Sequence, residues 1–267
     1  MLKVLSLLAV VALGGLWGLD RLERRMVYPF DPTRVDPGDI GLAMREERFE
    51  SGGQSLVLWL AEPRPGRPVV LYFHGNAGNL AARAGRFRLL LEQGFGLVAM
   101  GYRGSSGSSG TPSEAALSLD AARLLARLGD YAGAAPVVVY GESLGCAVAI
   151  AAIARAGVEP AGVVLEAPFT SAPAVALAAD PRLAALAGRM KNRWDSLARA
   201  GALQAPLLVL HGSEDELIPI DMGRQVYAAA PSQRKHLLEV KGGHHTDLWR
   251  SDVLPVLWRF IAAAAVP

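Results

Sequence analysis

Cysteine and excess charge are both scarce in this chain of 267 residues. A single cysteine, Cys146, excludes an internal disulfide bond and a metal site built from several cysteines. Charged residues make up 19% of the sequence, and the formal net charge is only +2. The basic residues are scattered and not interleaved with aromatic side chains, so we expect no nucleic-acid partner. Length and composition instead fit one large domain with a sizeable core.

Charge is also absent from the apolar segment Val4–Leu19. As a helix, these 16 residues would extend over about 24 Å, somewhat less than a bilayer core of about 30 Å. Lys3 can reach the interface with its long side chain. A cleaved signal peptide is the alternative, but no Ala-x-Ala site precedes Asp20. We therefore predict a retained signal anchor over residues 1–25, in a bacterial inner membrane, with the side of the membrane left open.

Beyond the predicted anchor, the pattern indicates a linker over residues 26–44 and an α/β domain over residues 45–265. Three prolines between Tyr28 and Gly41 argue against a helix there. Glu47–Ala61 is typical of a β-hairpin around Ser51-Gly-Gly-Gln54. From Pro68 onward, apolar strand-like runs alternate with helical stretches, which predicts a mostly parallel, twisted sheet with helices on both faces.

The boundaries of these predicted elements follow the apolar runs and the turn residues between them. The predicted strands are Val69–Phe73, Leu97–Tyr102, Val137–Tyr140, Gly162–Leu165, Leu207–Leu210 and His236–Val240. The predicted helices are Leu80–Glu92, Ser113–Leu128, Cys146–Ala156, Asp221–Ala229 and Thr246–Ala264. The interval Thr170–Gln204 is too long for a simple crossover, and we predict a short helical cap over residues 170–204. One irregular crossover helix is the alternative.

The segment Gly141-Glu142-Ser143-Leu144-Gly145 carries the most specific chemical signal. It lies between a predicted strand and a predicted helix, the setting that a Gly-x-Ser-x-Gly nucleophile elbow requires. Small residues two positions on either side let the strand and helix approach, and the central side chain projects from the sheet edge. The pattern therefore predicts Ser143 as a nucleophile. Cys146, just after it, is favoured as a small buried side chain.

A serine nucleophile needs a base and an orienting acid. In folds with a nucleophile elbow, the acid and then the histidine follow the serine along the chain. Asp215 comes just after the strand Leu207–Leu210 and is the candidate acid. The competing acids are Glu214 and Glu216, which flank it, and Asp195 and Glu166, which precede it. His244 and His245 follow the last predicted strand, and position alone leaves either as the base.

Two backbone N–H groups are the expected donors to the oxyanion. One belongs to Leu144, the residue after the nucleophile, and the other to Asn76 in the loop after Val69–Phe73. His74 opens this loop, but no second metal ligand lies at a useful spacing. We expect neither a metal nor a cofactor.

Several motifs in order resemble the α/β-hydrolase superfamily, and within it the Bem46-like branch with the α/β-hydrolase domain-containing protein 13 and 17 groups. The motifs are LYFHGNAGN (71–79), YRGSSGSSGTPSE (102–114), GESLG (141–145), LEAPFTS (165–171), RWDSL (193–197), HGSEDELIP (211–219) and GGHHTDLW (242–249). The resemblance implies the α/β-hydrolase fold and supports Asp215. It maps the base to His244, because the family pattern resembles G-G-H-N-D.

Members of this family hydrolyse esters or thioesters, including acyl lipids and palmitoylated proteins. The combined prediction is a monomeric, membrane-anchored serine hydrolase with Ser143, Asp215 and His244 as its triad. Its substrate is expected to be a small-molecule or lipid acyl ester or thioester. A serine peptidase or amidase of the same fold, and a non-catalytic scaffold on that fold, are the alternatives.

Overall fold

A computed structural model of the chain describes residue 18 and residues 20–265. Within this part of the chain, eight strands form a single sheet with the order β1-β2-β4-β3-β5-β6-β7-β8. The strands are Arg45–Ser51 (β1), Gln54–Ala61 (β2), Val69–Phe73 (β3), Gly96–Met100 (β4), Val137–Glu142 (β5), Gly162–Glu166 (β6), Leu207–Gly212 (β7) and Lys235–Val240 (β8). Strands β1 and β2 form the predicted antiparallel hairpin, β2 pairs antiparallel with β4, and every other pairing is parallel.

Helices cover both faces of the sheet. α-Helices run through residues 20–27 (α1), Ala84–Glu92 (α2), Glu114–Ala126 (α3), Gly129–Ala132 (α4), Leu144–Ala156 (α5), Ala172–Ala179 (α6), Ala184–Ala187 (α7), Ser196–Arg199 (α8), Ile220–Ala229 (α9) and Leu254–Ala263 (α10). Short 3₁₀ turns lie at Gly38–Ile40, Leu80–Arg83, Pro181–Leu183 and Ala200–Ala202. One core packs α3, α5 and α9 on the sheet, and a second core packs α2 and α10 on the opposite face.

The parallel strands β3 to β8 agree closely with the predicted runs. Every residue of β3, β4, β6 and β7 is buried, because these strands are covered on both faces, whereas β8 at the sheet edge is only partly covered. Helix α5 shows the same effect, since every side chain from Leu144 to Ile153 is buried. The last predicted helix was placed too early. It begins at Leu254 rather than Thr246, because Pro255 has no N–H and fits only the first turn of a helix.

The interval between β6 and β7 forms several short helices instead of one crossover helix. Helices α6, α7 and α8 follow each other there, with a 3₁₀ turn between α6 and α7 and another directly after α8. The Ser171 side chain caps α6, and the Asp195 side chain caps α8. Proline at the start of α6 and again at Pro181 explains why no long helix continues through this segment.

The chain before β1 packs closely on the domain. Phe30 forms a bridge with Gly78 and lies against the rings of His74 and Tyr102. Most of the predicted signal anchor, including the apolar stretch up to Trp17, lies outside the described residues. None of the helices in the described part is both long and apolar enough to cross a membrane.

Candidate active site

Ser143 sits at the sharp turn between β5 and α5. Its backbone has φ 53° and ψ −113°, a conformation that non-glycine residues rarely adopt. Its N–H donates to the Glu166 carbonyl at 2.8 Å, and its own carbonyl accepts from the Cys146 N–H at 2.9 Å. These two bonds hold the strained turn in place. The geometry is that of the nucleophile elbow expected from the sequence.

The two glycines of the Gly-x-Ser-x-Gly motif have steric reasons to be there. A Cβ atom on Gly145 would lie 1.9 Å from the carbonyl oxygen of Phe73, at the end of β3. A Cβ atom on Gly141 would lie 2.6 Å from the Cα of Cys146. Helix α5 therefore approaches the strands so closely that only glycine fits at these positions.

His245 connects Ser143 to Asp215. Its Nε2 lies 3.2 Å from the Ser143 Oγ, and its Nδ1 lies 2.8 Å from the Asp215 Oδ2. Because a carboxylate only accepts hydrogen bonds, Nδ1 carries the proton and Nε2 is left to accept from the serine hydroxyl. The second carboxylate oxygen of Asp215 accepts from the N–H groups of Leu217 and Ile218 at 3.0 and 2.8 Å. The acid is thus fixed by the backbone of the loop after β7.

The surroundings of Asp215 and His245 shift their pKa values in opposite directions, and both shifts favour the charged form. Burial raises the pKa of the Asp215 carboxyl, but donors from His211, His245 and Ile218 outweigh it and hold this pKa well below its usual range. Burial lowers the pKa of the His245 imidazole, but the hydrogen bond and charge of Asp215 outweigh it, so the net pKa lies above 6.5. Asp215 thus stabilises the charged imidazolium.

The structure does not bring His244 to the serine, and this part of the sequence prediction is wrong. The His244 side chain is half exposed and pairs with Glu216, at 3.1 Å between Nδ1 and the carboxylate. Its backbone N–H donates to the Asp247 side chain at 2.7 Å, which fixes the turn after β8. Adjacent side chains in such a turn point in different directions, so His244 faces solvent while His245 faces Ser143.

Leu144 and Asn76, the predicted oxyanion donors, line the same cavity as Ser143. Leu144 is the first residue of α5, where a backbone N–H has no carbonyl partner within the helix. The cavity has a volume of about 280 Å³. Apart from Ser143 and Asn76 its lining is apolar. It includes Phe169, Val175, Leu183, Trp194 and Leu217, together with Met26 and Val27 from the N-terminal segment.

A buried ion-pair network under the turn was not predicted from the sequence. Glu142, next to the nucleophile, pairs with Arg83 at 3.0 Å and lies 3.7 Å from Arg86. Arg86 also pairs with Glu166 at 2.7 Å. Burial raises the pKa of Glu142, but the two arginines outweigh it and lower this pKa to about 2. Arg83 also donates to the carbonyl of Ala77, so the network ties the turn at Ser143 to the loop that carries Asn76.

Two further histidines, His74 and His211, and the single cysteine are buried and bonded to the backbone. Burial lowers the pKa of His74 to about 3, and its Nδ1 lies 2.7 Å from the Gly75 carbonyl. His211 is buried with its Nε2 2.8 Å from the Ile218 carbonyl, behind Asp215. The Cys146 thiol is buried against two backbone carbonyls, and burial raises its pKa. Over residue 18 and residues 20–265, no cluster of three or more His, Cys, Asp or Glu is placed to hold a metal ion.

Comparisons with known proteins identify relatives of this chain. A family model described as serine aminopeptidase, S33, matches residues 64–198 and 182–249. Protein Rv2307c of Mycobacterium tuberculosis is 31% identical over 275 aligned residues, covering 99% of this chain and 96% of that protein. Human protein ABHD12B is 30% identical, and rat lysophosphatidylserine lipase ABHD12 is 29% identical. The aligned regions cover 79% and 75% of this chain, but only 64% and 57% of those two proteins.

Solved structures share the fold at lower identity. The Pyrococcus furiosus esterase Pf2001 superposes with a TM-score of 0.68 at 18% identity, covering 86% of this chain and 98% of that chain. A monoacylglycerol lipase from Paleococcus ferrophilus gives a TM-score of 0.61 at 20% identity, covering 78% and 99%. The molecule is a hydrolase of the α/β-hydrolase superfamily, which confirms the superfamily predicted from the motifs. Within it, the chain belongs to the family described as serine aminopeptidase, S33.

Proposed function

We propose that this protein is a serine hydrolase that cleaves carboxylic ester or thioester bonds of acyl substrates. The observation that carries the proposal is the hydrogen-bonded chain Ser143–His245–Asp215, whose serine lines an apolar cavity. A serine hydroxyl is a weak nucleophile at neutral pH, and this arrangement supplies the base and the orienting acid that activate it.

In the proposed reaction, the Ser143 Oγ attacks the substrate carbonyl while His245 Nε2 takes the hydroxyl proton. Asp215 stabilises the imidazolium through Nδ1–H. The N–H groups of Leu144 and Asn76 donate to the oxyanion, and losing one such donor typically costs about 2.7–4 kcal/mol of transition-state stabilisation. His245 then protonates the leaving alcohol or thiol. Water then attacks the acyl carbonyl while His245 takes one of its protons. His245 returns that proton to the Ser143 Oγ as the bond between Oγ and the acyl carbon breaks, which releases the acid and restores Ser143.

The lining of the cavity favours an acyl substrate. Peptide hydrolysis by an aminopeptidase is the second candidate function. An aminopeptidase must bind a free ammonium group, for which a carboxylate in the cavity is the natural partner. Among the residues that the structure describes, none that lines the cavity in front of Ser143 has an acidic side chain. Apolar surface contributes about 25 cal/mol for each Å² buried, so a hydrocarbon chain is the ligand that gains most here. The rat relative named lysophosphatidylserine lipase is consistent with a lipid substrate.

Hydrolysis of p-nitrophenyl esters from acetate to palmitate, beside an alanine p-nitroanilide, tests the proposal. We expect ester hydrolysis that improves beyond acetate, and its loss in Ser143→Ala. Faster cleavage of the anilide than of every ester would favour the aminopeptidase, and a strict preference for acetate would contradict an acyl-chain substrate. An inactive wild-type protein that also fails to react with a fluorophosphonate probe would favour the non-catalytic scaffold.

We also propose that Val4–Leu19 anchors the protein in a membrane, close to acyl lipids. The support is the absence of charge in this stretch. Charged residues at the centre of a membrane-spanning helix each cost about 2.5–3.5 kcal/mol on insertion scales. The double variant Leu8→Lys and Val11→Lys should therefore move the protein from the carbonate-resistant membrane pellet to the supernatant. Wild-type protein in the supernatant would contradict the anchor.

A further inference from the structure

Helix α1, residues 20–27, is fastened to the cap by a buried carboxylate. The Glu23 side chain is buried and accepts hydrogen bonds from the backbone N–H groups of Lys191 and Asn192 at 3.0 and 2.7 Å. It also accepts from the side-chain amide of Asn192 at 2.7 Å. Charge-assisted hydrogen bonds of this kind are the strong ones. The position of α1 relative to the cap is therefore fixed.

A second set of hydrogen bonds links Tyr28, just after α1, to the cap and to α3. The Tyr28 hydroxyl donates to the Asn192 side chain at 2.9 Å and accepts from the Trp194 indole N–H at 2.9 Å. The backbone N–H of Trp194 donates to the Glu114 carboxylate at the start of α3. Trp194 itself lines the cavity in front of Ser143. Residues 20–28 are thus built into the wall of the candidate active site.

A second space lies beside the cavity in front of Ser143 and shares part of its lining. This narrower space of about 40 Å³ lies between α1, α6 and α7, and its lining is apolar except for Glu23. The two spaces share the lining residues Met26, Val27, Ala176, Leu183 and Met190. The narrow space extends beyond these residues to Leu22 and Leu186. The Glu23 carboxylate accepts hydrogen bonds from the cap. The other described residues that line the narrow space offer hydrocarbon contacts.

We infer that this narrow space is a distal acyl subsite, in which α1 and α7 hold the far end of a straight acyl chain whose carbonyl lies at Ser143. The inference rests on the proposed function and adds to it which residues set the preferred chain length. Met26 and Met190 line both spaces, and flexible thioether side chains can move aside for a hydrocarbon chain that extends from one space into the other. Each methylene that the subsite removes from water should raise kcat/KM about fourfold.

Filling the narrow space is the direct test. Leu186 lines only this space, and Leu186→Trp adds volume there at a distance from Ser143. Leu177→Trp makes the same change at an exposed position on α6 that lines neither space. With the full-length chain in detergent, Leu186→Trp should lower the laurate-to-butyrate ratio of kcat/KM for p-nitrophenyl esters about tenfold or more. Leu177→Trp should leave the ratio at the wild-type value.

The opposite change keeps the inference testable if the tryptophan variant does not fold. Leu186→Ala widens the space, and the optimum should move to longer chains, with palmitate gaining relative to laurate. Folded variants with the wild-type ratio and optimum would overturn the subsite while leaving the hydrolase proposal intact. If the wild-type chain hydrolyses none of these esters, the proposed function and the subsite fail together.

Discussion

Replacing His245 and His244 in turn tests which of the two histidines is the base. The structure indicates His245, whereas the motif resemblance indicates His244. His245 has its two ring nitrogens 3.2 Å from Ser143 and 2.8 Å from Asp215. His245→Ala removes the base, which in serine hydrolases of this type lowers kcat by roughly 10⁴–10⁶-fold. At 1.36 kcal/mol for each factor of ten, that is about 5–8 kcal/mol of activation free energy.

His244→Ala is the matched control, one residue away. Its exposed pairing with Glu216 lies in water, where ion pairs contribute little, so kcat/KM and the melting temperature should stay close to the wild-type values. The assay is hydrolysis of p-nitrophenyl butyrate, with melting curves to confirm that both variants are folded. A large loss in His244→Ala with retained activity in His245→Ala would refute the assignment.

Three further predictions concern the groups around the serine. Because the pKa of His245 is raised above 6.5 and the base acts only when neutral, kcat/KM should rise with pH to a plateau, with a midpoint above 6.5. Asp215→Asn should lower both the midpoint and the rate, and an unchanged midpoint would argue against the pairing of His245 with Asp215. Glu142→Gln removes the carboxylate that pairs with Arg83, while Arg86 keeps Glu166, and it should lower the free energy of unfolding by about 3–5 kcal/mol at pH 7 in a urea titration. The pKa of Glu142 in the folded protein, about 2, lies below its value in the unfolded chain, so the stability that Glu142 contributes is present at neutral pH and is lost as pH falls toward 2. The stability difference between Glu142→Gln and wild type should therefore shrink below about pH 4, and a difference that stays constant with pH would contradict the ion-pair account. Gly145→Ala places a Cβ 1.9 Å from the Phe73 carbonyl oxygen and should lower the free energy of unfolding by more than about 3 kcal/mol or prevent folding. The control is Gly85→Ala in α2, where the added Cβ meets open space, and it should be neutral or slightly stabilising in the same titration.

The elements that the sequence predicts well are those whose pattern is local. The central strands are continuous apolar runs, and the turn at Ser143 is specified by the five residues of one motif. Asp215 follows its strand directly, where acids of this fold are expected. Such features depend on residues close together in the chain, so periodicity and motif spacing are sufficient to locate them.

The choice between His244 and His245 depends on a turn that spacing does not describe. The Asp247 side chain binds the His244 N–H, and Gly242 adopts a positive φ of 64°. Together they decide which of two adjacent side chains faces the serine. The family pattern pointed to the first histidine, and only the three-dimensional path of the loop after β8 gives the second.

Contacts between distant segments account for what the sequence did not reveal. Glu142 and Arg83 are 59 residues apart, and Glu23 and Lys191 are 168 residues apart. No local pattern links such pairs, so the ion-pair network and the role of α1 as a cavity wall were both missed. A predicted anchor over residues 1–25 therefore includes part of a helix that packs on the cap, and removing all of it would also remove part of the cavity wall.

Detection of the acyl-enzyme tests the central claim most directly. The wild-type protein is mixed with excess p-nitrophenyl laurate, quenched in acid within the first turnovers, and analysed by intact-mass and peptide mass spectrometry. The account predicts one added lauroyl group on the peptide that contains Ser143, and no adduct in Ser143→Ala. An adduct on another residue, or continued ester turnover by Ser143→Ala, would contradict it.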